Sequence, residues 1–197
     1  MVLEPHMADR WRELASVLEG RPRRRLTRPD ATVAAVLVPL QLARDGLHLV
    51  YTRRSRALPN HAGQVAFPGG VRDVARDADL AATALREARE EIGLAEDDVQ
   101  LLGPLDDIST VASRFVITPY VGLVPHPYAW VPCPREVDAV FSVALERLVA
   151  PDAERQELWD FDGSAVPIDF FPIDGHVIWG ATHRITRNLL EVLREVG

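Results

Sequence analysis

The sequence has one cysteine and lacks a long apolar run, and both features narrow the class of protein. Cys133 is the single thiol of the chain, which excludes an intrachain disulfide and a zinc site built from cysteines. No apolar stretch reaches the roughly 18 residues of a membrane-spanning helix. The first residues, MVLEPHMADRWREL, have Glu and Pro where a signal peptide has a basic residue and an apolar core. We therefore expect a cytoplasmic protein without a membrane partner, and no functional role for Cys133.

Positive charge is also scarce. The chain has 22 Lys and Arg against 29 Asp and Glu, a net charge of −7, whereas nucleic-acid binding uses a large positive field. We predict no nucleic-acid partner. An anionic small molecule would need a local basic cluster, and there are two. The segment RPRRRLTR at residues 21–28 is typical of a solvated linker. The second cluster, Arg53, Arg54 and Arg56, precedes a glycine turn.

Length and composition favour a single α+β domain with helices packed on a mixed β-sheet. Hydrophobic residues make up 47% of the 197 residues. Apolar spacing predicts helices over residues 8–19, 79–92 and 181–196, and the first two end at glycine. The segments TVAAVLVPLQL and GLHLVYTRR predict a β-hairpin, and later apolar stretches predict further strands of one sheet. We interpret residues 1–30 as an N-terminal helix with a basic linker, and residues 31–197 as the core of the domain.

The helix over residues 79–92 is crowded with carboxylates. At about 100° per residue, Glu87, Glu90 and Glu91 share an arc of roughly 100°, so we expect them to face the same partner. A separate apolar stripe for docking on the sheet contains Ala81, Leu85, Ala88 and Ile92. Like charges at these spacings repel each other and destabilise an isolated helix. A divalent cation such as Mg²⁺ or Mn²⁺ bound between the carboxylates would make their clustering favourable. The alternative is a solvated acidic face paired with Arg86 and Arg89.

A glycine pair upstream favours the metal interpretation. Gly69 and Gly70 end the loop HAGQVAFPGG, and glycine lets the backbone approach a ligand closely. A backbone carbonyl and a ridge of glutamates together can form a site for a metal ion and a phosphate.

These two features resemble the Nudix box, the strand-loop-helix-loop signature of hydrolases that act on nucleoside diphosphates linked to another moiety. The segment REAREEIGL, residues 86–94, agrees at every fixed position. The front of the box differs, because the gap from Gly70 to Arg86 is about two residues longer than usual. Asp73, Asp77 and Asp79 lie where a glutamate is expected, and the sequence leaves open which of them, if any, replaces it.

The segment before the box is similar to a motif of the coenzyme A pyrophosphatase branch of Nudix enzymes. That motif reads approximately Leu-Leu-Thr-x-Arg-Ser, a spacer, then Gly-Gln-Val-Ala-Phe-Pro-Gly-Gly. Thr52, Arg54, Ser55 and all of residues 63–70 match it, whereas Val50 and Tyr51 replace the two leucines. The segment VIWGATHRI, residues 177–185, is similar to a late segment of the same branch.

The resemblance implies a Nudix-type α/β/α sandwich and a set of site residues. Mg²⁺ or Mn²⁺ would be held by Glu87, Glu91 and Glu90, with the carbonyl of Gly70 or Gly69 completing the shell. Glu87 and Glu90 are also candidate catalytic groups, and Arg86 would orient a box carboxylate. Glu136 is a candidate for a further acid from another segment. The candidate substrate-binding residues are Arg54, Arg53, Ser55, His61, Gln64 and Gly69.

The implied reaction is metal-dependent hydrolysis of the pyrophosphate of coenzyme A, or of a derivative, to 3′,5′-ADP and 4′-phosphopantetheine. One alternative is a pyrophosphatase for ADP-ribose, NADH or a similar dinucleotide, which would share the metal site. A second alternative is a nucleotide-binding module without catalysis, which would be expected to lose the box glutamates. The general base, the number of metal ions and the oligomeric state are left open.

Overall fold

The computed structural model describes residues 5–110 and 114–195, which form two β-sheets and four α-helices. The helices are α1 (Pro5–Gly20), α2 (Leu80–Ile92), α3 (Leu145–Leu148) and α4 (Gly180–Arg194). The three helices predicted from apolar spacing are therefore confirmed to within a few residues. Within the described ranges, no helix is long and apolar enough to cross a membrane.

The larger sheet has eight strands. They are β1 (Thr32–Ala43), β2 (Gly46–Arg54), β3 (Val65–Ala66), β4 (Gly69–Val71), β5 (Gln100–Pro104), β6 (Ile108–Ser109), β7 (Phe115–Val124) and β8 (Val137–Ala144). The main order is β3-β2-β1-β7-β5, with β4 beside β1, β6 beside β7 and β8 beside β2. The pair β1 and β2 forms the predicted hairpin, and β1 runs parallel to β7. The sheet is thus mixed, as expected.

Two groups of buried apolar side chains lie on opposite faces of this sheet. On one face α2 packs through Ala84, Ala88 and Ile92 against Ala35 and Leu37. Of the predicted apolar stripe of α2, Ala88 and Ile92 are fully buried, while Ala81 and Leu85 are only partly covered. The other face carries the larger core, which takes side chains from α1 and α4. The sandwich implied by the sequence is confirmed.

The last strands do not join the large sheet, contrary to the expectation of a single sheet. The strands β9 (Arg155–Phe161), β10 (Ser164–Ile173) and β11 (His176–Trp179) form a separate antiparallel sheet in the order β11-β10-β9. Tight turns at Gly163 and Gly175, both with positive φ, fold these strands back on their sequence neighbours. β9 escapes prediction because its sequence, RQELWDF, is mostly polar and mostly exposed.

The basic linker is exposed along most of its length but is anchored to the body of the domain. Arg21 forms an ion pair with Asp106 at 2.7 Å. The backbone N–H of Leu26 donates to a carboxylate oxygen of Asp107 at 2.8 Å, and the backbone N–H of Asp107 donates to the carbonyl of Arg24 at 2.9 Å. Asp107 is buried. The interpretation of residues 21–28 as a solvated segment therefore holds for its exposed side chains, but two aspartates far along the chain also anchor it.

Candidate active site

The box helix α2 is closed by defined caps at both ends. The side chain of Asp79 accepts a hydrogen bond from the backbone N–H of Ala82 at 2.8 Å, as an N-terminal cap does. Gly93 follows the helix with φ of 68°, and its N–H bonds back to the helix carbonyls. Asp79 is thus the cap of α2. Between the caps, Glu87 and Glu91 are one helical turn apart and both reach strand β4.

The two glycines of β4 leave no room for a side chain. A Cβ atom on Gly69 would lie 2.4 Å from the carbonyl oxygen of Ala35. A Cβ atom on Gly70 would lie 2.5 Å from the carboxyl carbon of Glu87. Gly70 therefore makes the space in which the Glu87 carboxylate lies directly against the strand.

The strand register decides which glycine carbonyl faces α2. The backbone N–H of Leu37 bonds to the carbonyl of Pro68, and that of Arg72 bonds to the carbonyl of Val33. Hydrogen-bonded pairs alternate along an antiparallel ladder, so Gly70, which lies opposite Ala35, points its N–H and C=O toward β1. Gly69 points away from β1, which agrees with its N–H bond to Glu91. The geometry therefore favours the carbonyl of Gly69 over that of Gly70 as a metal ligand.

Glu91 is the buried carboxylate of the box. Its side chain accepts a hydrogen bond from the N–H of Gly69 at 3.3 Å, and the residue is 5% exposed. Burial, with the negative charges of Glu87 and Glu136 adding to it, raises the pKa of Glu91 to about 8. The N–H of Gly69 and the charge of Arg54 oppose this rise only in part. A divalent cation at this position would favour the ionised carboxylate.

Glu87 and Glu90 have different surroundings. Glu87 is half-buried and forms an ion pair with Arg86 at 2.8 Å, yet burial dominates and raises its pKa. Glu90 is exposed and pairs with Arg76 at 2.8 Å and with Arg86 at 3.1 Å, so its pKa is lowered, chiefly by the hydrogen bond from Arg76. The expectation that all three glutamates face one partner is thus not met, because two arginines hold Glu90. Arg89 pairs instead with Glu96.

Of the three aspartates that lie where the box glutamate is expected, Asp77 is the one that contacts Arg86. Its carboxylate receives the Nε–H of Arg86 at 2.7 Å and the hydroxyl of Thr83 at 2.9 Å. It also receives the backbone N–H of Asp73 at 2.9 Å. Both Asp77 and Arg86 are buried, and the hydrogen bond from Arg86 holds the pKa of Asp77 well below its usual range. The remaining N–H groups of Arg86 bind Glu87, Glu90 and the carbonyl of Val71.

This network gives the predicted orienting role of Arg86 a structural basis. One guanidinium ties the loop after β4 to two box carboxylates by charge-assisted hydrogen bonds. Sequence reasoning missed Arg76 as a partner of Glu90. Spacing alone carries no signal for it, because Arg76 lies 14 positions before Glu90, in the same loop as Asp73 and Asp77.

A second segment brings Glu136 to the same place. The backbone N–H groups of Val131 and Cys133 bond to the last carbonyls of α2, those of Ile92 and Glu91. This docks residues 131–137 on the end of the box helix. Glu136 is exposed, and its charge contributes to the raised pKa values of both Glu87 and Glu91. The acid predicted from another segment is therefore close to the box carboxylates. Cys133 takes part only through its backbone in these contacts.

The pre-box motif closes the site from the side of β2. The N–H of Arg54 bonds to the carbonyl of Gln64 at 2.9 Å, and the N–H of Gly63 bonds to the carbonyl of Arg54 at 3.1 Å. The Nε atoms of Arg53 and Arg54 are buried and have no hydrogen-bond partner among the described residues. The charge of Arg54 acts on Glu91. Arg54 therefore brings the charge of the motif close to Glu91.

The other predicted substrate-binding residues differ in access. His61 is exposed, has φ of 57°, and pairs with the side chain of Gln64 at 3.0 Å. Ser55 is buried, and its hydroxyl receives the N–H of Ala57 while its own N–H binds the carbonyl of Glu136. Ser55 thus shapes the loop and is not positioned to contact a substrate.

The donor chemistry of this cleft fits a hard divalent cation. Carboxylates of Glu87, Glu91 and Glu136 and the carbonyl of Gly69 are oxygen ligands of the kind that Mg²⁺ and Mn²⁺ take. Within residues 5–110 and 114–195, no three acidic, His or Cys side chains already converge closely enough to hold an ion. A cation here would therefore take two carboxylates at most together with the carbonyl of Gly69, and its remaining ligands would be water and phosphate oxygens.

A sandwich around a mixed sheet, in which the glutamates of one helix face a strand that contains glycines, is the architecture of the Nudix class of hydrolases. The NUDIX domain family matches residues 31–162 of the chain. The protein called uncharacterized Nudix hydrolase NudL from Photorhabdus laumondii is 37% identical over 158 residues, covering 80% of this chain and 83% of its own. The protein of the same name from Salmonella newport is also 37% identical over 158 residues, covering 79% and 80%. The chain belongs to the Nudix family and is a Nudix hydrolase.

Solved structures show the same fold. A MutT/nudix family protein from Enterococcus faecalis superposes with a TM-score of 0.52 at 14% identity, covering 98% of this chain and 76% of its own. DR0079 from Deinococcus radiodurans superposes with a TM-score of 0.51 at 18% identity, covering 82% and 86%. At these identities the likeness concerns the fold alone.

Proposed function

We propose that the chain hydrolyses the pyrophosphate bond of coenzyme A, or of one of its derivatives, with Mg²⁺ or Mn²⁺. The products would be 3′,5′-ADP and 4′-phosphopantetheine. The observation that carries the proposal is the contact between the two halves of the pre-box motif. The end of β2 pairs with the segment Gln64–Ala66, and the same segment continues through Phe67 into the glycines beneath the box carboxylates.

The basic end of β2 supports a substrate with an additional phosphate. Arg53 and Arg54 are half-buried at the end of β2, beside the pre-box loop, and guanidinium groups suit phosphate oxygens. Coenzyme A carries a 3′-phosphate besides its pyrophosphate, whereas ADP-ribose and NADH do not. Arg54 acts on Glu91 electrostatically, so a phosphate bound to it would lie near the reacting pyrophosphate.

In the proposed mechanism Glu87, Glu91 and the carbonyl of Gly69 would hold the cation. A bound cation would neutralise phosphate charge and lower the pKa of a water molecule. Water attacks one phosphorus, the bond from that phosphorus to the bridging oxygen breaks, and the bridging oxygen leaves with the other phosphate. Arg86 keeps Glu87 and Glu90 oriented. We assign Glu136 to accept the proton of the attacking water, because its exposed carboxylate reaches the cleft from a separate segment.

The test is a comparison of substrates. Purified protein is incubated separately with coenzyme A, dephospho-coenzyme A, ADP-ribose and NADH, each with Mg²⁺ or Mn²⁺, and products are identified by mass. We expect coenzyme A to give the highest kcat/KM and Glu87→Gln to lose most of it. Arg54→Ala should reduce the preference for coenzyme A over dephospho-coenzyme A, which lacks the 3′-phosphate. Faster cleavage of ADP-ribose or NADH would still support the proposed metal site, but it would contradict the proposal that coenzyme A is the substrate.

A further inference from the structure

The three-stranded sheet carries exposed apolar side chains that the hydrolase site does not use. Leu158 is 72% exposed, Phe161 42%, Val177 41% and Val166 38%. The strand register places Phe161 and Val166 on one face together with Trp159 and Trp179, whose ring centroids are 5.2 Å apart. The opposite face of this sheet contributes Phe171, Ile173 and Ile178 to the main core. That face is thus buried at β10 and β11 but exposed at β9, where it carries Leu158, and the other is a partly exposed aromatic face.

Strand β9 is also an edge strand. Among the described residues it pairs with β10 and with no other strand. Its register with β10 is continuous over all seven residues, and it contains neither a proline nor a bulge, two of the features by which proteins protect an edge. It does carry three charged residues, Arg155, Glu157 and Asp160, which are a third such feature, so any strand that pairs with it must keep like charges apart. Both faces of β9 are largely exposed, so its outer edge is accessible to another strand.

The turn after β9 fixes which backbone groups are free. Asp162 and Gly163 have φ of 52° and 82° and form a two-residue loop, the geometry of a type I′ hairpin turn. The residues that flank such a turn, Phe161 and Ser164, form a hydrogen-bonded pair, and such pairs alternate along the ladder. Gln156, Leu158 and Asp160 therefore direct their N–H and C=O groups toward the free edge.

We propose that β9 pairs antiparallel with β9 of a second copy of this chain about a two-fold axis at Leu158. This register pairs all seven residues and brings the free N–H and C=O groups of the two copies together. Leu158 lies opposite Leu158 of the second copy. The charged residues each face a neutral partner: Arg155 faces Phe161, Glu157 faces Trp159 and Asp160 faces Gln156.

The two neighbouring registers, with the two-fold axis at Glu157 or at Trp159, would each leave two of the seven residues of β9 without a partner in the second strand, and charge further disfavours the first. A two-fold axis at Glu157 would place that carboxylate opposite its own copy, and like charges directly opposite destabilise a strand pair. The joined sheet has six strands, and the aromatic faces of the two copies become continuous across the axis. The far edge, β11, contacts β3 of the main body, so the assembly closes as a dimer.

The first test is the oligomeric state of the full chain by light scattering and sedimentation equilibrium. We expect a dimer, and we expect Leu158→Lys to raise the dimer Kd at least about tenfold, because two ammonium groups would meet at the axis. Val149→Lys is the matched control, since Val149 is 52% exposed and lies outside the small sheet. A wild-type monomer, or a Leu158→Lys protein that dimerises as tightly as wild type, would overturn the proposal.

The second test fixes the register. In a Cys133→Ser background, Leu158→Cys should form an intermolecular disulfide on mild oxidation. Hydrogen-bonded cross-strand partners have Cα atoms about 5.5 Å apart, within the range that a disulfide spans. Glu157→Cys should not cross-link, because its partner is Trp159. Equal cross-linking at both positions, or none at Leu158, would exclude this interface.

Discussion

At the scale of single residues, the carboxylates of α2 differ mainly in how much water reaches them. Glu91 is 5% exposed and has a pKa raised to about 8, whereas Glu90 is exposed and has a lowered pKa because two arginines contact it. The three have the same side chain, so burial and nearby charge cause the difference. Helical spacing places the three carboxylates on one arc, but it does not reveal that Arg76 forms an ion pair with Glu90.

Glu91 should make the metal-free protein less stable as the pH rises. A glutamate in the unfolded chain ionises near its ordinary pKa of 4.5, and folded Glu91 near 8, so the folded state binds more protons between these values. The free energy of unfolding should therefore fall through this window, by at most about 1.4 kcal/mol per pH unit. Glu91→Gln should remove this fall and be the more stable protein at pH above 8 in chelator. Urea denaturation at a series of pH values measures the free energy of unfolding, with Glu90→Gln as control. The same dependence of this free energy on pH in wild type and Glu91→Gln would contradict the prediction.

Asp77 should be more important for stability than its neighbouring aspartates. Asp77→Asn leaves buried Arg86 without its closest carboxylate, a change that costs about 3 kcal/mol or more in comparable buried pairs. Activity should fall too, because Arg86 also orients Glu87. The control is Asp73→Asn, whose amide oxygen can still accept the local hydrogen bond from the N–H of Ala75 and which should cost at most about 1 kcal/mol. Similar losses in the two variants, measured by urea denaturation, would show that the Asp77–Arg86 pair is not special.

The sequence could identify the tail of the box but not Asp77. The tail, residues 86–94, is a continuous stretch of sequence that agrees with the Nudix box at every fixed position. Asp73, Asp77 and Asp79 are the same residue type within one short loop, and their roles depend on the path of that loop. In the structure Asp73 bonds within its turn, Asp77 is buried against Arg86, and Asp79 caps α2.

At the scale of secondary-structure elements, periodicity predicts the long helices and the first hairpin, whereas short elements escape it. β3 and β4 have two and three residues, too few for an alternating pattern, so their segment has the sequence character of a loop. Neighbouring strands decide these assignments: β3 forms on β2, and β4 forms on β1. The position of β4 beneath the box carboxylates is therefore a tertiary property.

The two glycines of β4 should respond differently to an added methyl group. The Cβ of Gly69→Ala would meet backbone atoms of β1, which cannot move easily, whereas that of Gly70→Ala would meet the flexible end of Glu87. We expect Gly69→Ala to lose about 2 kcal/mol of stability. Gly70→Ala should keep its stability to within about 1 kcal/mol and lose at least about tenfold in kcat/KM, because Glu87 is displaced. Thermal unfolding and kinetics measure both, and an active Gly70→Ala protein would contradict the role of Glu87.

We expect Glu136, in the segment docked on the end of α2, to contribute to catalysis but not to stability. Glu136→Gln should lower kcat by about 10² to 10⁴, the usual contribution of a general base, with little change in KM. Its side chain is exposed, so stability should not change. Glu96→Gln, an exposed partner of Arg89 on the surface, is the control. A Glu136→Gln protein with wild-type kcat would refute proton transfer by this residue.

At the scale of the whole molecule, three distant parts of the chain meet at the candidate site. Strand β2 and its loop supply Arg54, α2 supplies Glu87 and Glu91, and residues 131–137 supply Glu136. The large sheet holds them together, since β1 contacts β2, β4 and β7 at once. The family and the sandwich could be predicted from local patterns. The division into two sheets could not, because it depends on which strands find partners.

Metal binding should stabilise the whole fold, and more so at higher pH. A ligand that binds only the folded state at 100 times its Kd stabilises it by about 2.7 kcal/mol. Below its pKa of about 8, Glu91 must first release a proton, so Mg²⁺ should bind more weakly at pH 6.5 than at pH 8.5. At one fixed Mg²⁺ concentration, the rise in unfolding midpoint over chelator should be larger at pH 8.5. Glu91→Gln should lose both the rise and its pH dependence, while Glu96→Gln keeps them. An equal rise at both pH values would show that Glu91 is not the ligand that sets metal affinity.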